Sequence, residues 1–338
     1  MLAWSGAACE EGRLSDETEW AIPATAQPKP EECAYDLERA LAAVVAVRAE
    51  IPADAFTASI LGTERGGNGV VIDRNGLILT IGYLVTEAET VWVSALSGAA
   101  APAHVVGYDQ ATGFGLIQAL GQLGVPPLEL GSADASAVGD PVIIAGEGGL
   151  PHALKAAVVS KREFAGYWEY VLDEAIFTSP PHPSWGGAAC LGADGRVLGI
   201  GSLFVQEARG EGIASQGNMI VPIDLLKPVL HDLLTLGRVD RPPRPWLGMY
   251  TSQADETVFV AGVASGGPAE RAGIKAGDFV LEVAGARVSD LADTFRRIWA
   301  IGPAGSAIPL MIARDGALQR VTIHSADRND FLKKPRLH

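Results

Sequence analysis

Cysteine is scarce in this 338-residue chain, which has three cysteines: Cys9, Cys33 and Cys190. A sparse, odd-numbered set does not form the disulfide framework that supports small secreted domains. The sequence also lacks a C-x-x-C pair, an H-E-x-x-H motif and a Walker loop. We therefore expect no metal and no cofactor, and we expect Cys190 to serve in core packing.

Basic residues are also outnumbered by acidic residues, and the apolar runs are short. Lysine and arginine number 26 against 40 aspartate and glutamate residues, which gives a net charge of −14. Such a surface repels phosphate backbones and anionic membranes, which argues against nucleic-acid binding. The apolar run at 40–47 is much shorter than the roughly 20 residues of a membrane span. No basic segment leads into an apolar stretch at Met1, so the sequence as written predicts a cytoplasmic protein. It predicts a periplasmic one if the true start lies upstream.

Hydrophobic residues make up 48% of the chain, a value typical of globular proteins, and the length suggests about two domains. Residues 1–36 mix acidic residues, proline and alanine without a period, which predicts a disordered acidic tail. The segment 36–50 is predicted as a helix with Leu37 and Leu41 on one face. Many short strands with turn signals follow as far as residue 200. This spacing is typical of an all-β barrel or sandwich pair.

A proline- and arginine-rich linker separates two units. Before it, a helix with Asp224 at its N-cap is expected to end at Gly237. After it, strands and one amphipathic helix are enough for a small domain. The predicted divisions are a globular unit at 37–237, a linker at 238–245, a small domain at 246–327 and a tail at 328–338.

Five segments carry a family resemblance through their order and spacing. They are G-N-G-V-V-I-D-R-N-G-L-I-L-T (67–80), H-V-V-G-Y-D-Q-A-T (104–112), L-G-S-A-D-A-S-A-V-G-D-P-V (130–142), W-G-G-A-A-C-L-G-A-D-G-R-V-L-G-I (185–200) and N-M-I-V-P-I-D-L-L-K-P-V-L (218–230). Together they resemble the HtrA/DegP group of trypsin-like serine proteases with a C-terminal PDZ domain. The resemblance implies a mainly β fold, with a two-barrel trypsin/chymotrypsin-like domain followed by a PDZ domain. It also implies chaperone-like work and a homo-trimer.

The three catalytic positions of that family hold unsuitable residues in this chain. The family needs a serine nucleophile, a histidine base and an aspartate that orients the histidine. Here Tyr83 stands in the histidine position, Gly113 in the aspartate position and Trp185 in the serine position. Tyrosine is a poor base at neutral pH, and glycine has no side chain. The resemblance thus implies a degenerate triad, and we expect the Trp185 indole to fill or cap the former cleft.

The backbone of the nucleophile loop is altered as well. The oxyanion hole of the family takes N–H groups from the nucleophile and from the residue two positions earlier. That residue is Pro183, which has no N–H. A register shift by one would make Ser184 the nucleophile, with His182 too close along the chain to be a well-aimed base. The alternative function is therefore an active HtrA-family serine endopeptidase, working in protein quality control, with a non-standard site.

In this interpretation the second unit performs the function of the protein, which is peptide binding. R-P-W-L-G-M (244–249) resembles the carboxylate-binding loop of the family's PDZ domains, and V-A-S-G-G-P-A-E-R-A-G-I-K-A-G-D (263–278) is a strong PDZ signature. The resemblance implies an inactive protein that binds or scaffolds proteins and peptides with free C-termini, which add as a strand. The alternative is a groove that is closed or packed against the barrel. The expected peptide-binding residues are Trp246, Leu247, Gly248, Met249, Leu291, Phe295 and Ile298.

Overall fold

The computed structural model describes residues 21–210, 212–255 and 257–334. Over these residues the chain forms two closed six-stranded barrels followed by a separate six-stranded sheet. This architecture confirms the predicted mainly β fold with two barrels. No helix in the described part of the chain is both long and apolar enough to cross a bilayer.

The first barrel has the strand order β1-β2-β3-β6-β5-β4, and all its neighbours are antiparallel. Its core is filled by fully buried side chains such as Ile78, Phe114 and Leu116. Its elements are α1 (Leu37–Ala42), β1 (Val44–Glu50), α2 (Ala58–Leu61), β2 (Glu64–Val71), β3 (Leu77–Ile81), β4 (Thr90–Ser94), β5 (Ala100–Tyr108) and β6 (Phe114–Ala119).

The helix predicted over 36–50 is wrong beyond its first half. The Asp36 side chain accepts the N–H of Arg39 and caps α1 as a helix start requires. From Val44, however, the chain continues as β1. Val44 and Val45 are β-branched and completely buried, and they pair with β2 inside the barrel. Pairing across the barrel therefore overrides the helical periodicity.

The second barrel has the order β10-β11-β12-β9-β8-β7. Its longest strands form the β8–β9 hairpin, and the turn of that hairpin, residues 167–169, reaches the third sheet. The following helix ends at Gly237, whose φ of +69° provides the predicted C-terminal stop. The elements are β7 (Pro141–Ala145), β8 (Ala153–Gly166), β9 (Tyr170–Ser179), β10 (Ala189–Leu191), β11 (Val197–Val205), β12 (Gly217–Pro222) and α3 (Leu230–Leu236).

The third sheet has the order β13-β14-β15-β17-β18, with β16 paired to β15, so β13 lies at an edge. Helix α5 is capped by Asp290, whose side chain accepts the N–H of Asp293. It buries Phe295 and Ile298 against the sheet. The elements are β13 (Met249–Ala254), β14 (Thr257–Val263), α4 (Pro268–Arg271), β15 (Phe279–Val283), β16 (Ala286–Arg287), α5 (Leu291–Ala300), β17 (Ala307–Arg314) and β18 (Ala317–His324).

The segments expected as tails pack on the domains wherever they are described. Residues 1–20 of the acidic tail and residues 335–338 lie outside the described residues. Ile22 is buried, and its N–H donates to a carbonyl of the loop before β8 at 2.8 Å. At the other end, the Phe331 ring lies 4.8 Å from the Trp246 ring, centroid to centroid. Both segments are therefore ordered because apolar side chains anchor them.

Candidate functional site

The residue that the resemblance places in the histidine position, Tyr83, is hydrogen-bonded to the second barrel. Tyr83 follows β3 in a short helical turn, and its hydroxyl donates to the carbonyl oxygen of Ser202 at 2.9 Å. Burial raises the pKa of Tyr83, and a hydrogen bond from the Trp185 side chain opposes that effect only in part. The phenol therefore stays protonated at neutral pH. A protonated phenol is not a general base.

The aspartate position is built for a residue without a side chain. Gly113 has a φ of +85°, and its N–H donates to the carbonyl oxygen of Asp109 at 2.8 Å. A Cβ atom at this position would lie 3.0 Å from the hydroxyl oxygen of Tyr170. That hydroxyl is itself fixed, because it donates to the carbonyl oxygen of Thr112 at 2.8 Å. Both the backbone and its neighbour thus disfavour an aspartate.

The three residues that the resemblance places at catalytic positions, Tyr83, Gly113 and Trp185, lie around one cavity of about 480 Å³, which we call the aromatic cavity. Trp185 is half-buried, and its ring lies 5.8 Å from that of Phe204. The indole lines the wall of the cavity and leaves the space beside it open. Further aromatic rings of the cavity come from the hairpin turn, Tyr167 and Trp168, and from the second domain, Trp246 and Tyr250.

Ser184 and His182 are close together but not arranged for nucleophilic catalysis. The Nδ1 atom of His182 accepts the backbone N–H of Ser184 at 3.1 Å, and its Nε2 lies 3.0 Å from the carbonyl oxygen of His152. Burial lowers the pKa of His182, which favours the neutral ring. The Ser184 hydroxyl oxygen accepts from the side-chain amide of Asn68 at 3.1 Å. The two ring nitrogens of His182 thus contact backbone atoms of Ser184 and His152.

Asn68 holds the former nucleophile loop against the first barrel. It is completely buried on β2, and its Nδ2 donates to the carbonyl oxygens of Ser184 at 2.9 Å and Gly186 at 3.0 Å. Its Oδ1 accepts the N–H of Glu147 at 2.8 Å, from the second barrel. One side chain thus satisfies polar groups on both barrels and fixes the loop between them. Sequence reasoning did not identify this residue.

The backbone loop expected to bind a carboxylate is occupied by a carboxylate of the same chain. Glu169, in the β8–β9 turn, accepts the N–H of Gly248 at 2.7 Å and the N–H of Met249 at 3.2 Å. The Leu247 N–H lies 3.1 Å from each of its two oxygens. Gly248 has the φ of +72° that turns the loop N–H groups toward one point. The loop therefore holds a side-chain carboxylate of the same chain, whereas the prediction concerned the C-terminus of a peptide.

Sequence reasoning missed Glu169 because it lies far from this loop along the chain. It takes a φ of +61° in a three-residue hairpin turn, where glycine or asparagine is the usual choice. A glutamate in such a position is the one signal that could have drawn attention to it. Burial raises the pKa of Glu169 to about 7, against the opposing effect of the backbone hydrogen bonds.

The groove beside the loop is covered by the same hairpin. Val171 of β9 belongs to the buried apolar cluster of the second domain, together with the predicted pocket residues Leu291, Phe295 and Ile298. Arg296 of α5 pairs with Glu163 of β8 and with Asp173 of β9, each at 2.5 Å. The hairpin thus contacts the pocket side of the helix where a peptide was expected.

Trp246 serves a different contact from the one predicted. Its ring lies 5.7 Å from the Phe56 ring of the first barrel, in an edge-to-face arrangement, and it also contacts Phe331. It is 7% exposed and lines the aromatic cavity. Trp246 therefore joins the second domain to the first barrel. No group of three or more side chains suited to hold a metal ion exists among the described residues.

Comparisons with known proteins identify both domains. A trypsin-like peptidase domain model matches residues 67–200, and a PDZ domain model matches residues 245–324. The serine protease Do-like HtrA of Bacillus subtilis is 27% identical over 285 residues, which cover 75% of this chain and 62% of that protein. The DegP-like protein of Halomonas elongata is 28% identical over 287 residues, which cover 79% of this chain and 57% of that protein. The chain thus spans roughly three-fifths of the length of these relatives.

Solved structures share the fold of the whole chain. The HtrA-type protease AlgW, solved with a decapeptide, superposes with a TM-score of 0.51 at 21% sequence identity. The match covers 89% of this chain and 98% of that one. The two-barrel domain followed by a PDZ domain is therefore a shared architecture, while the residues of the site are those of this chain.

Proposed function

We propose that this chain, an HtrA-like protein with a trypsin-like domain followed by a PDZ domain, is catalytically inactive and binds proteins or peptides through its PDZ domain. One observation carries the first half of the proposal. The positions of the family's base and nucleophile hold Tyr83 and Trp185, and the Tyr83 hydroxyl donates to the carbonyl oxygen of Ser202 at 2.9 Å. Neither can act as base or nucleophile, and Gly113 offers no group to orient a base.

A fluorophosphonate probe tests the inactive site. The probe reacts with activated serines, so we expect no labelling of the full chain and no casein cleavage. The matched control variant is Ser184→Ala, and an active trypsin-like protease serves as the positive control. Labelling that disappears in Ser184→Ala would establish an unconventional serine enzyme and refute the proposal. Labelling that persists in that variant would place the nucleophile at another serine, which also refutes it.

The carboxylate site at residues 247–249 supports peptide binding. Three backbone N–H groups converge there within 3.2 Å of one carboxylate oxygen, which is the arrangement that captures a peptide C-terminus. We propose that a peptide with a free carboxylate and an apolar last residue binds this site and adds as a strand to the edge strand β13. Residues Leu291, Phe295 and Ile298 are proposed to line the pocket for its last side chain.

Isothermal titration of the full chain with a free and an amidated version of one peptide measures this function. Amidation removes a charge-assisted contact worth about 1.5–3 kcal/mol, so the affinity should fall at least about tenfold. Equal affinities of the two peptides would mean that the site does not read carboxylates. The homo-trimer that the resemblance implies stays a prediction, which sedimentation equilibrium of the full chain tests.

A further inference from the structure

The turn of the β8–β9 hairpin imitates a bound peptide C-terminus in two respects. The side-chain carboxylate of Glu169 lies where a terminal carboxylate would lie, bonded to the N–H groups of residues 247–249. Two residues earlier, the backbone carbonyl of Tyr167 accepts the N–H of Thr251 on β13 at 3.0 Å. A peptide that adds to an edge strand makes the same kind of backbone bond. Both contacts occupy groups that an incoming peptide needs.

Strand β9 supplies the apolar side chain that corresponds to the last side chain of a peptide. Val171 is buried in the cluster that contains Phe295 and Ile298, the residues expected around the last side chain of a peptide. The arrangement also holds Glu169 in a left-handed backbone conformation that disfavours residues with a Cβ atom. A strained turn that persists is one that its surroundings hold in place. Here those surroundings are the carboxylate site itself.

We propose that the turn at residues 167–169 is an internal ligand of the PDZ groove, and that a peptide C-terminus binds by displacing it. This inference rests on the proposed peptide-binding function and adds its regulation. Displacement removes Tyr167 and Trp168 from the wall of the aromatic cavity, because both belong to the same turn.

The test compares peptide affinity in variants of the turn at pH 7, in the full chain. The probe is a fluorescein-labelled Gly-Ser-Gly-Tyr-Trp-Val peptide with a free carboxylate, whose ending copies the side chains of the turn and of β9. Glu169→Ala removes the internal carboxylate, and Glu169→Gln keeps its shape without the charge. Glu174→Gln is the matched control, since Glu174 lies on the same hairpin and pairs with Lys161 of the barrel.

We expect the peptide to bind Glu169→Ala at least about tenfold more tightly than the unchanged chain, because a tenfold gain is about 1.4 kcal/mol of relieved competition. Glu169→Gln should bind the peptide no more tightly than the unchanged chain, because its amide oxygen still accepts the loop N–H groups. Glu174→Gln should match the unchanged chain. Equal affinities in all four proteins would overturn the internal ligand and leave peptide binding intact. Absence of binding in every protein, Glu169→Ala included, would refute the peptide-binding function itself.

Hydrogen exchange in the unchanged chain gives a second measurement that needs no variant. Saturating peptide should speed the exchange of amides at residues 166–170, because the turn loses its contacts with β13. Amides of β11, which pairs elsewhere in the barrel, should not change. Bound peptide with unchanged exchange at the turn would show that the two ligands do not compete, and the inference would fail.

Discussion

The affinity for a peptide carboxylate should rise with pH, and a single side chain should be responsible. Burial raises the pKa of Glu169 to about 7 from its ordinary value of 4.5, against the opposing effect of the backbone hydrogen bonds and of Arg328. In a released turn the carboxyl is solvated, and its pKa returns to the ordinary value. The docked turn therefore holds its proton more tightly than the released turn does. Docking is strongest where Glu169 is protonated.

The direction and the size of this pH effect on docking follow from proton linkage. Docking is at full strength below pH 4.5, and it weakens as the pH rises through about 7. At about 1.4 kcal/mol for each pKa unit between the two states, ionisation weakens docking by about 3 kcal/mol in total. About 2 kcal/mol of this, or roughly 25-fold, falls between pH 5.5 and pH 8. The C-terminal carboxylate of a competing peptide, with a pKa of about 3.5, stays ionised throughout this range.

Fluorescence anisotropy with the labelled free-acid peptide, at fixed ionic strength from pH 5.5 to pH 8, measures the effect. The unchanged chain should bind up to about 25-fold more tightly at the upper end, and Glu169→Gln should be flat because its amide does not ionise. Burial raises the pKa of the nearby Tyr250, so its hydroxyl stays protonated in this range. A flat or falling affinity in the unchanged chain would refute the reasoning, as would the same slope in Glu169→Gln.

Three further predictions concern the barrels. Trp185→Ser should not cleave casein above a heat-killed control, because base, orienting acid and oxyanion donor are still missing; measurable cleavage would contradict the inactive site. Gly113→Asp should lower the free energy of unfolding, measured in urea, by about 2–3 kcal/mol through strain and contact with the tyrosine beside it. Gly124→Asp, with a φ of +68° and open space around the position, is the matched control and should lose only about 1 kcal/mol. Equal losses of unfolding free energy in the two variants would exclude contact with the tyrosine as a cause of the destabilisation. Asn68→Ala should lower the free energy of unfolding by about 2–4 kcal/mol, since it leaves the partly buried Glu147 N–H without its acceptor and the Ser184 carbonyl without its amide donor. A loss below about 0.5 kcal/mol would show that other groups replace the amide.

The fold could be predicted because its signals are local. Strand alternation, turn glycines and the spacing of short motifs fix the order of elements, and that order places Tyr83 and Trp185 beside one cavity. The start of β1 could not be predicted in this way. Val44 and Val45 continue the apolar period of α1, and only pairing with β2 makes them extended.

The sequence could not predict which carboxylate occupies the site at 247–249, for a different reason. The loop at 247–249 has the composition of a carboxylate site, but composition does not say which carboxylate arrives. Glu169 reaches it only because the hairpin is long and the second domain docks on it. Contacts between distant segments depend on how domains sit together, and periodicity within one segment contains no information about that.

The last described residues bear on how the molecule unfolds. The segment after β18 returns to the first barrel, where the N–H of Lys333 donates to the Glu87 carboxylate at 2.8 Å and Phe331 packs on Phe56. The hairpin of the second barrel already joins the PDZ domain, so the three units form a closed ring of contacts. Each unit is then stabilised by both others, and heating should release them together. A calorimetric trace with one cooperative transition, in place of two separate domain transitions, is the expected consequence.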